Sequence, residues 1–164
     1  MVNHHQFWWR FFPKKELTQL YVAHALRSFS ISVLGIFIPL YLYIERGYSL
    51  NETLLFFIFY SVVFAVMAPA AAKFAARYGV KHSVLLSVPF YLSFIGLLYA
   101  LPFVNISLLL ISSLFGASQA FYWMGTHMLF HRASDRRHRG EEIGLRGSTN
   151  VLAGMLGPLL GGAM

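Results

Sequence analysis

The chain has 164 residues, of which 57% are hydrophobic and 12% charged, with a mean hydropathy of +0.60. A water-soluble domain carries nearer ~25% charged residues, so lipid rather than water must cover this much apolar surface. The net charge of +7 would raise nucleic-acid binding in a soluble protein. Here the basic residues fall in the gaps between apolar runs, where they report topology, and no nucleic-acid partner is expected. The lack of cysteine excludes disulfides and thiolate metal sites.

Residues 1–16 carry Trp8, Trp9, Phe11 and Phe12 around Arg10, followed by Pro13-Lys14-Lys15. The apolar run is too short for a signal peptide, is split by Arg10 and lacks a small-residue cleavage site. Aromatic and basic side chains together suit the headgroup layer, which predicts an interfacial lead-in on the cytoplasmic side. A membrane bundle over 17–164 follows, with helices predicted at about 17–44, 53–76, 83–101, 105–130 and 143–164. The uncharged stretch 83–126 is too long for one span of ~20 residues, and Pro102-Phe103-Val104-Asn105 divides it. Pro69, Pro89 and Pro158 are expected to bend their helices, which neighbouring helices tolerate in lipid.

The loop between the second and third helices organises the rest. In Arg77-Tyr78-Gly79-Val80-Lys81, Gly79 supplies the backbone freedom for a reversal, while Arg77 and Lys81 resist translocation. Arg10, Lys14 and Lys15 lie before the first helix. Lys73, Arg77 and Lys81 surround the second loop, and Arg132, Arg136, Arg137, Arg139 and Arg146 surround the fourth. Eleven of the thirteen Lys and Arg residues therefore share one side. That side is cytoplasmic and holds the N-terminus. Five spans leave the C-terminus outside, where Gly161-Gly162-Ala163-Met164 has no polar anchor. A gene interrupted at this point is the expectation.

Three helices carry stripes. The fifth has Gly147, Asn150, Gly154, Gly157 and Gly161 at steps of three and four, one face along which another backbone can approach, slide or hinge. The fourth has Ser112, Gly116, Gln119, Trp123 and His127. The first has His24, Arg27, Ser28, Ser32, Gly35 and Pro39. Polar stripes in lipid face protein or a water-filled cavity, and interhelical hydrogen bonding is their simplest use. Arg27 lies ~10–15 Å and His127 ~8 Å from the cytoplasmic surface at ~1.5 Å per residue. No acidic residue lies between Glu16 and Glu45 or between Glu52 and Asp135. Arg27 therefore needs a polar group, a substrate anion or a carboxylate from elsewhere, unless it snorkels to the interface. Proton coupling would fall to His24 or His127.

With these motifs in hand, the chain resembles the N-terminal part of a major facilitator superfamily transporter. That family's second-loop signature reads Gly-x-Leu-Ala-Asp-Arg-x-Gly-Arg-Lys. Ala75, Arg77, Gly79 and Lys81 match it, while Ala72, Phe74, Ala76 and Val80 depart. Ala76 stands where the family's Asp joins a charge network that latches the outward-open state. A second signature, Gly-x8-Gly-x3-Gly-Pro-x2-Gly-Gly, is associated in the family with antiporters. Gly144, Gly157, Pro158, Gly161 and Gly162 match it, and Ala153 replaces the second Gly.

The resemblance implies an all-α polytopic membrane protein with five transmembrane helices, an incomplete six-helix half of the family's twelve-helix bundle. It implies a secondary active transporter of a small solute, working by alternating access and of antiporter or efflux type, not an enzyme, with no cofactor and no metal. Arg27, Gln119, Trp123 and His127 are then candidates to line the substrate cavity. Arg77, Gly79 and Lys81 form the conformational loop, and Gly144, Gly147, Gly154, Gly157, Pro158, Gly161 and Gly162 the packing face. The partners implied are the lipid bilayer, the solute and a missing C-terminal half, in a bacterial plasma membrane.

Two other functions compete. The glycine face could make the chain a non-transporting scaffold or oligomerising module, which crosslinking through the fifth helix would test. His127 and His131, one helical turn apart with His138 nearby, could hold a metal in a membrane enzyme, although no Glu follows the first His.

Overall fold

The computed structural model describes residues 15–35, 37–134 and 137–161, and the regular elements among them are helices. Five long ones follow in order: α1 (Lys15–Gly35), α2 (Leu50–Tyr78), α3 (Val80–Ala100), α4 (Leu108–Ala133) and α5 (Arg139–Gly161). Four stretches of the described residues are long and apolar enough to cross a membrane: Thr18–Glu45, Leu50–Tyr78, Val80–Ala100 and Leu108–Ala133. In α5 the residues Glu141, Glu142, Arg146 and Asn150 dilute the apolar ones. The lead-in up to Lys14, the pair Asp135 and Arg136, and Gly162 to Met164 lie outside the described residues.

The helix ends follow from local chemistry. Pro39 lacks an N–H, and its ring opposes the carbonyl four residues back, that of Gly35. There α1 ends, and the predicted 17–44 helix continues as a short turn, Phe37–Leu40, and a π-helical turn, Tyr41–Glu45. The second helix begins at Leu50, earlier than 53, because Ser49-Leu50-Asn51-Glu52 is a capping box. The Glu52 N–H donates to Ser49 Oγ at 3.2 Å, and the Ser49 N–H donates to the Glu52 carboxylate at 2.8 Å.

Between α2 and α3 the expected six-residue loop shrinks to Gly79 alone, at φ +102° and ψ 146°. Side chains rarely tolerate that conformation. The Gly79 N–H closes α2 on the Ala75 carbonyl at 3.1 Å, and its own carbonyl accepts from the Ser83 N–H at 3.3 Å. At the opposite ends of these helices the Arg46 guanidinium donates to the Leu101 carbonyl at 3.3 Å. A cation there complements the negative end of the α3 dipole.

Two compact units contain these elements, one drawn from Met1–Tyr41 and Phe130–Met164, the other Leu42–Leu129. In the first, α1 packs along α5. Tyr21 meets Glu142, Ser28 meets Asn150 and Ser32 meets Gly154. Partners advance in the same direction, so the two helices are parallel. Tyr21, Phe130 and Ala133 form a core with Leu20 and Leu145. The Arg146 guanidinium lies 5.0 Å from the Phe130 ring centroid, a cation–π contact.

In the second unit α4 packs on both α2 and α3. Ala71, Ala120 and Phe121 form the core with Phe64, Met67, Phe74, Leu86, Phe90 and Met124 around them. Phe115 stacks on Tyr60 at 4.6 Å and on Phe94 at 4.5 Å. Small residues set the approach of the backbones. A β-carbon on Gly116 would lie 2.7 Å from the Tyr60 carbonyl oxygen, and one on Gly125 2.8 Å from a Val84 methyl.

Two buried hydroxyls bridge α3 and α4. Ser83 Oγ donates to the Phe121 carbonyl at 2.9 Å, and Ser118 Oγ donates to the Ser87 carbonyl at 3.1 Å. Ser83→Ala and Ser118→Ala should each cost about 0.6–2 kcal/mol, the range for interhelical hydrogen bonds in membranes. Thermal melts in detergent micelles should show both losses. Ser113→Ala should melt unchanged, because that hydroxyl bonds back to Leu109 of its own helix at 2.6 Å.

Candidate functional site

A proline in a helix leaves the carbonyl four residues earlier without its N–H donor. Pro158 does this to Gly154, which is half-buried on α5. The vacancy is filled from the neighbouring helix: Ser32 Oγ of α1 donates to the Gly154 carbonyl, the kind of compensation by which membrane helices tolerate proline. One turn toward the N-terminus of each helix, Ser28 Oγ donates to Asn150 Oδ1. Gly157 lets the helices come this close. A β-carbon there would lie 2.5 Å from Ser32 Oγ and 2.7 Å from the Val33 backbone nitrogen. The polar stripe of the first helix and the small-residue face of the fifth therefore meet each other.

The other packing-face residues play different parts. Added β-carbons at Gly144, Gly147 and Gly154 would meet nothing within 4 Å among the described residues. Gly161 ends α5, and Gly162 lies outside the described residues. The opposite side of α5 presents exposed Val151, Leu152, Met155 and Leu156, as a lipid-facing surface does.

The cavity candidates divide between the units. Arg27 is half-buried on α1 in the first, next to Ser28, with His24 buried one turn before it. Gln119, Trp123 and His127 lie on one face of α4 in the second. Gln119 is buried, Trp123 half-buried and His127 exposed. The Trp123 and His127 rings stack at 5.4 Å with 28° between their planes, and Tyr122 meets Trp123 edge-on at 6.0 Å. Gly116, on the same stripe, serves the contact with α2, and Ser112 bonds back to Leu109 at 3.0 Å. On this α4 face the Gln119 amide is buried within the protein, and the stacked Trp123–His127 rings are the part a solute could meet by ring contact.

At the α2–α3 turn Arg77 and Lys81 are exposed on either side of Gly79, and the Arg77 guanidinium lies 5.4 Å from the Tyr78 ring centroid. Among the described residues, no group of three or more His, Asp or Glu side chains could hold a metal ion.

The Ser32–Gly154 bond has a signal in the sequence that stripe counting passes over. Pro158 names Gly154 as the carbonyl in need, and the serines of the first helix are the donors at hand. The Ser49–Glu52 capping box was equally readable.

A family model described as Major Facilitator Superfamily matches residues 20–164. Neither the curated proteins nor the solved structures compared with the chain contain a match. The family match runs from α1 through α5 and takes in both the Arg77–Lys81 turn and the Gly157-Pro158 signature, so this multi-pass membrane protein belongs to the Major Facilitator Superfamily of transporters.

Proposed function

We propose that the chain is the N-terminal portion of a secondary active transporter of antiporter or efflux type, moving a small solute by alternating access. The observation that supports this most is the α1–α5 seam. The Gly157-Pro158 signature meets α1 at backbone distance, held by the Ser32–Gly154 and Ser28–Asn150 bonds. A contact this close and hydrogen-bonded makes α1 and α5 one element that moves as a unit when the halves rock. In this scheme a C-terminal half supplies the family's remaining helices, and the halves rock about a midplane site.

Gln119, Trp123 and His127 on α4 are the proposed solute contacts of the second unit and Arg27 on α1 that of the first, and Arg77, Gly79 and Lys81 gate from the cytoplasmic side. The lead-in 1–16 rests on the inner leaflet of a bacterial plasma membrane, with the N-terminus cytoplasmic and the bundle over 17–164. With no acidic residue between Glu16 and Glu45 or between Glu52 and Asp135, a coupling proton would reside on His24 or His127.

The test uses everted vesicles carrying the protein with its C-terminal half, energised by a proton gradient that a quenched acridine dye reports. Cationic, anionic and neutral amphiphilic solutes are added in turn. A solute that restores the fluorescence identifies antiport. Arg27→Gln should slow that exchange roughly tenfold or more, the weight of a lost charged hydrogen bond of ~1.5–3 kcal/mol. His127→Gln should abolish its pH dependence. A His127→Gln protein with an unchanged pH-driven rate removes His127 from the coupling, and no response to any solute class overturns antiport.

A further inference from the structure

In the second unit, the apolar faces that α2 and α3 turn outward end in cations. On α3, Lys81, Leu85, Val88 and Leu92 follow at steps of four, three and four, one side of the helix, and all are exposed. On α2, Val62, Val66, Lys73 and Arg77 share a side in the same way and are likewise exposed. The single-residue turn at Gly79 places Lys73, Arg77 and Lys81 at the same end of the two helices, beside exposed Tyr78 and His82. No acidic residue occurs anywhere in 53–134. Glu52 stands at the far end of α2, ~30 Å away at ~1.5 Å per residue.

We propose that this end of the α2–α3 hairpin binds anionic phospholipid. The acyl chains lie along Val62 and Val66 and along Leu85, Val88 and Leu92, and the headgroup phosphate sits among Lys73, Arg77 and Lys81. An amphiphile with a negative head and two apolar tails matches a surface whose long apolar stripes each lead into a cation. The exposed Tyr78 ring suits the headgroup layer, and Arg77 above it keeps its charge while its stem covers apolar surface. Basic clusters beside membrane spans are drawn to anionic leaflets. The inference requires only that α2 and α3 cross a bilayer, so it stands whether or not the protein exchanges solutes.

Native mass spectrometry of the protein released from nanodiscs containing equal phosphatidylglycerol and phosphatidylcholine tests it. The wild-type chain should retain phosphatidylglycerol in preference to phosphatidylcholine by roughly fivefold or more, and K73Q/R77Q/K81Q should retain the two about equally. Lys81→Gln alone, which leaves α2 intact, should lower the preference about twofold and serves where the triple variant fails to assemble. Excess inorganic phosphate should leave the lipid in place. Equal retention by wild type, an unchanged preference in K73Q/R77Q/K81Q or Lys81→Gln, or displacement by inorganic phosphate would overturn the site. A preference that vanishes when the chain is joined to a second transporter half would assign the face to protein and also defeat it.

Discussion

Ser32→Ala should destabilise the α1–α5 pair by roughly 1–1.5 kcal/mol, the net worth of a good hydrogen bond to a part-buried carbonyl, and should do so only while Pro158 is present. Pro158 removes the N–H that would otherwise serve the Gly154 carbonyl, and Ser32 Oγ takes its place. In Pro158→Ala the helix regains that N–H, and the Ser32 hydroxyl becomes dispensable. The double-mutant cycle should therefore show a coupling of at least ~1 kcal/mol, well above the ~0.3–0.5 kcal/mol scatter of independent sites. Unfolding of the four proteins in a detergent titration reads it directly. If Ser32→Ala costs the same in both backgrounds, the hydroxyl only fills space beside Gly157, and the carbonyl is satisfied some other way.

Gly116→Val should be the most disruptive single change in the α2–α4 contact. The first added carbon would lie 2.7 Å from the Tyr60 carbonyl oxygen, 3.0 Å from Val63 Cβ and 3.1 Å from the Phe64 nitrogen. Two of these are backbone atoms within a continuous helix, so no side chain can swing aside. Either α4 or α2 must shift, which also strains the Tyr60–Phe115 ring stack. A cost at the upper end of ~1–3 kcal/mol follows from overpacking a filled interface. The control is Gly96→Val on α3, where an added β-carbon meets nothing within 4 Å among the described residues. Its melting temperature in detergent should stay near that of the wild type while Gly116→Val falls. Equal effects at the two positions would mean that the change acts through helix propensity rather than through the contact.

The two glycines show how far a sequence pattern reaches. Gly116 falls on a polar stripe of α4 that could face protein or a cavity, and it serves a helix contact with α2. Gly157 falls on a stripe of small residues, and there the tight contact is present. Period alone places a residue on a face, but it does not say whether that face meets a solute, a helix or lipid. Gly144 and Gly147 make the same point. They share the spacing of the packing face, yet added β-carbons there would meet no neighbour among the described residues. At the helix ends, Ser49 with Glu52 and Pro39 with Gly35 show the opposite case. There short-range chemistry decides the boundary, and the residues that decide it are within one turn of each other.

The sequence by itself determined that the chain lives in lipid, how its apolar runs are spaced, and which gaps between them carry the cations. These properties depend on neighbours along the chain and on transfer of side chains between water and hydrocarbon. The tertiary structure alone decided that the first and fifth helices are parallel partners, that Ser32 is the donor to the carbonyl Pro158 leaves open, and that α4 packs on both α2 and α3. In a membrane the inward and outward faces of a helix are both apolar, so hydropathy holds no record of which helix lies opposite. That choice falls to shape and to isolated hydrogen bonds, which exist only once the helices have met.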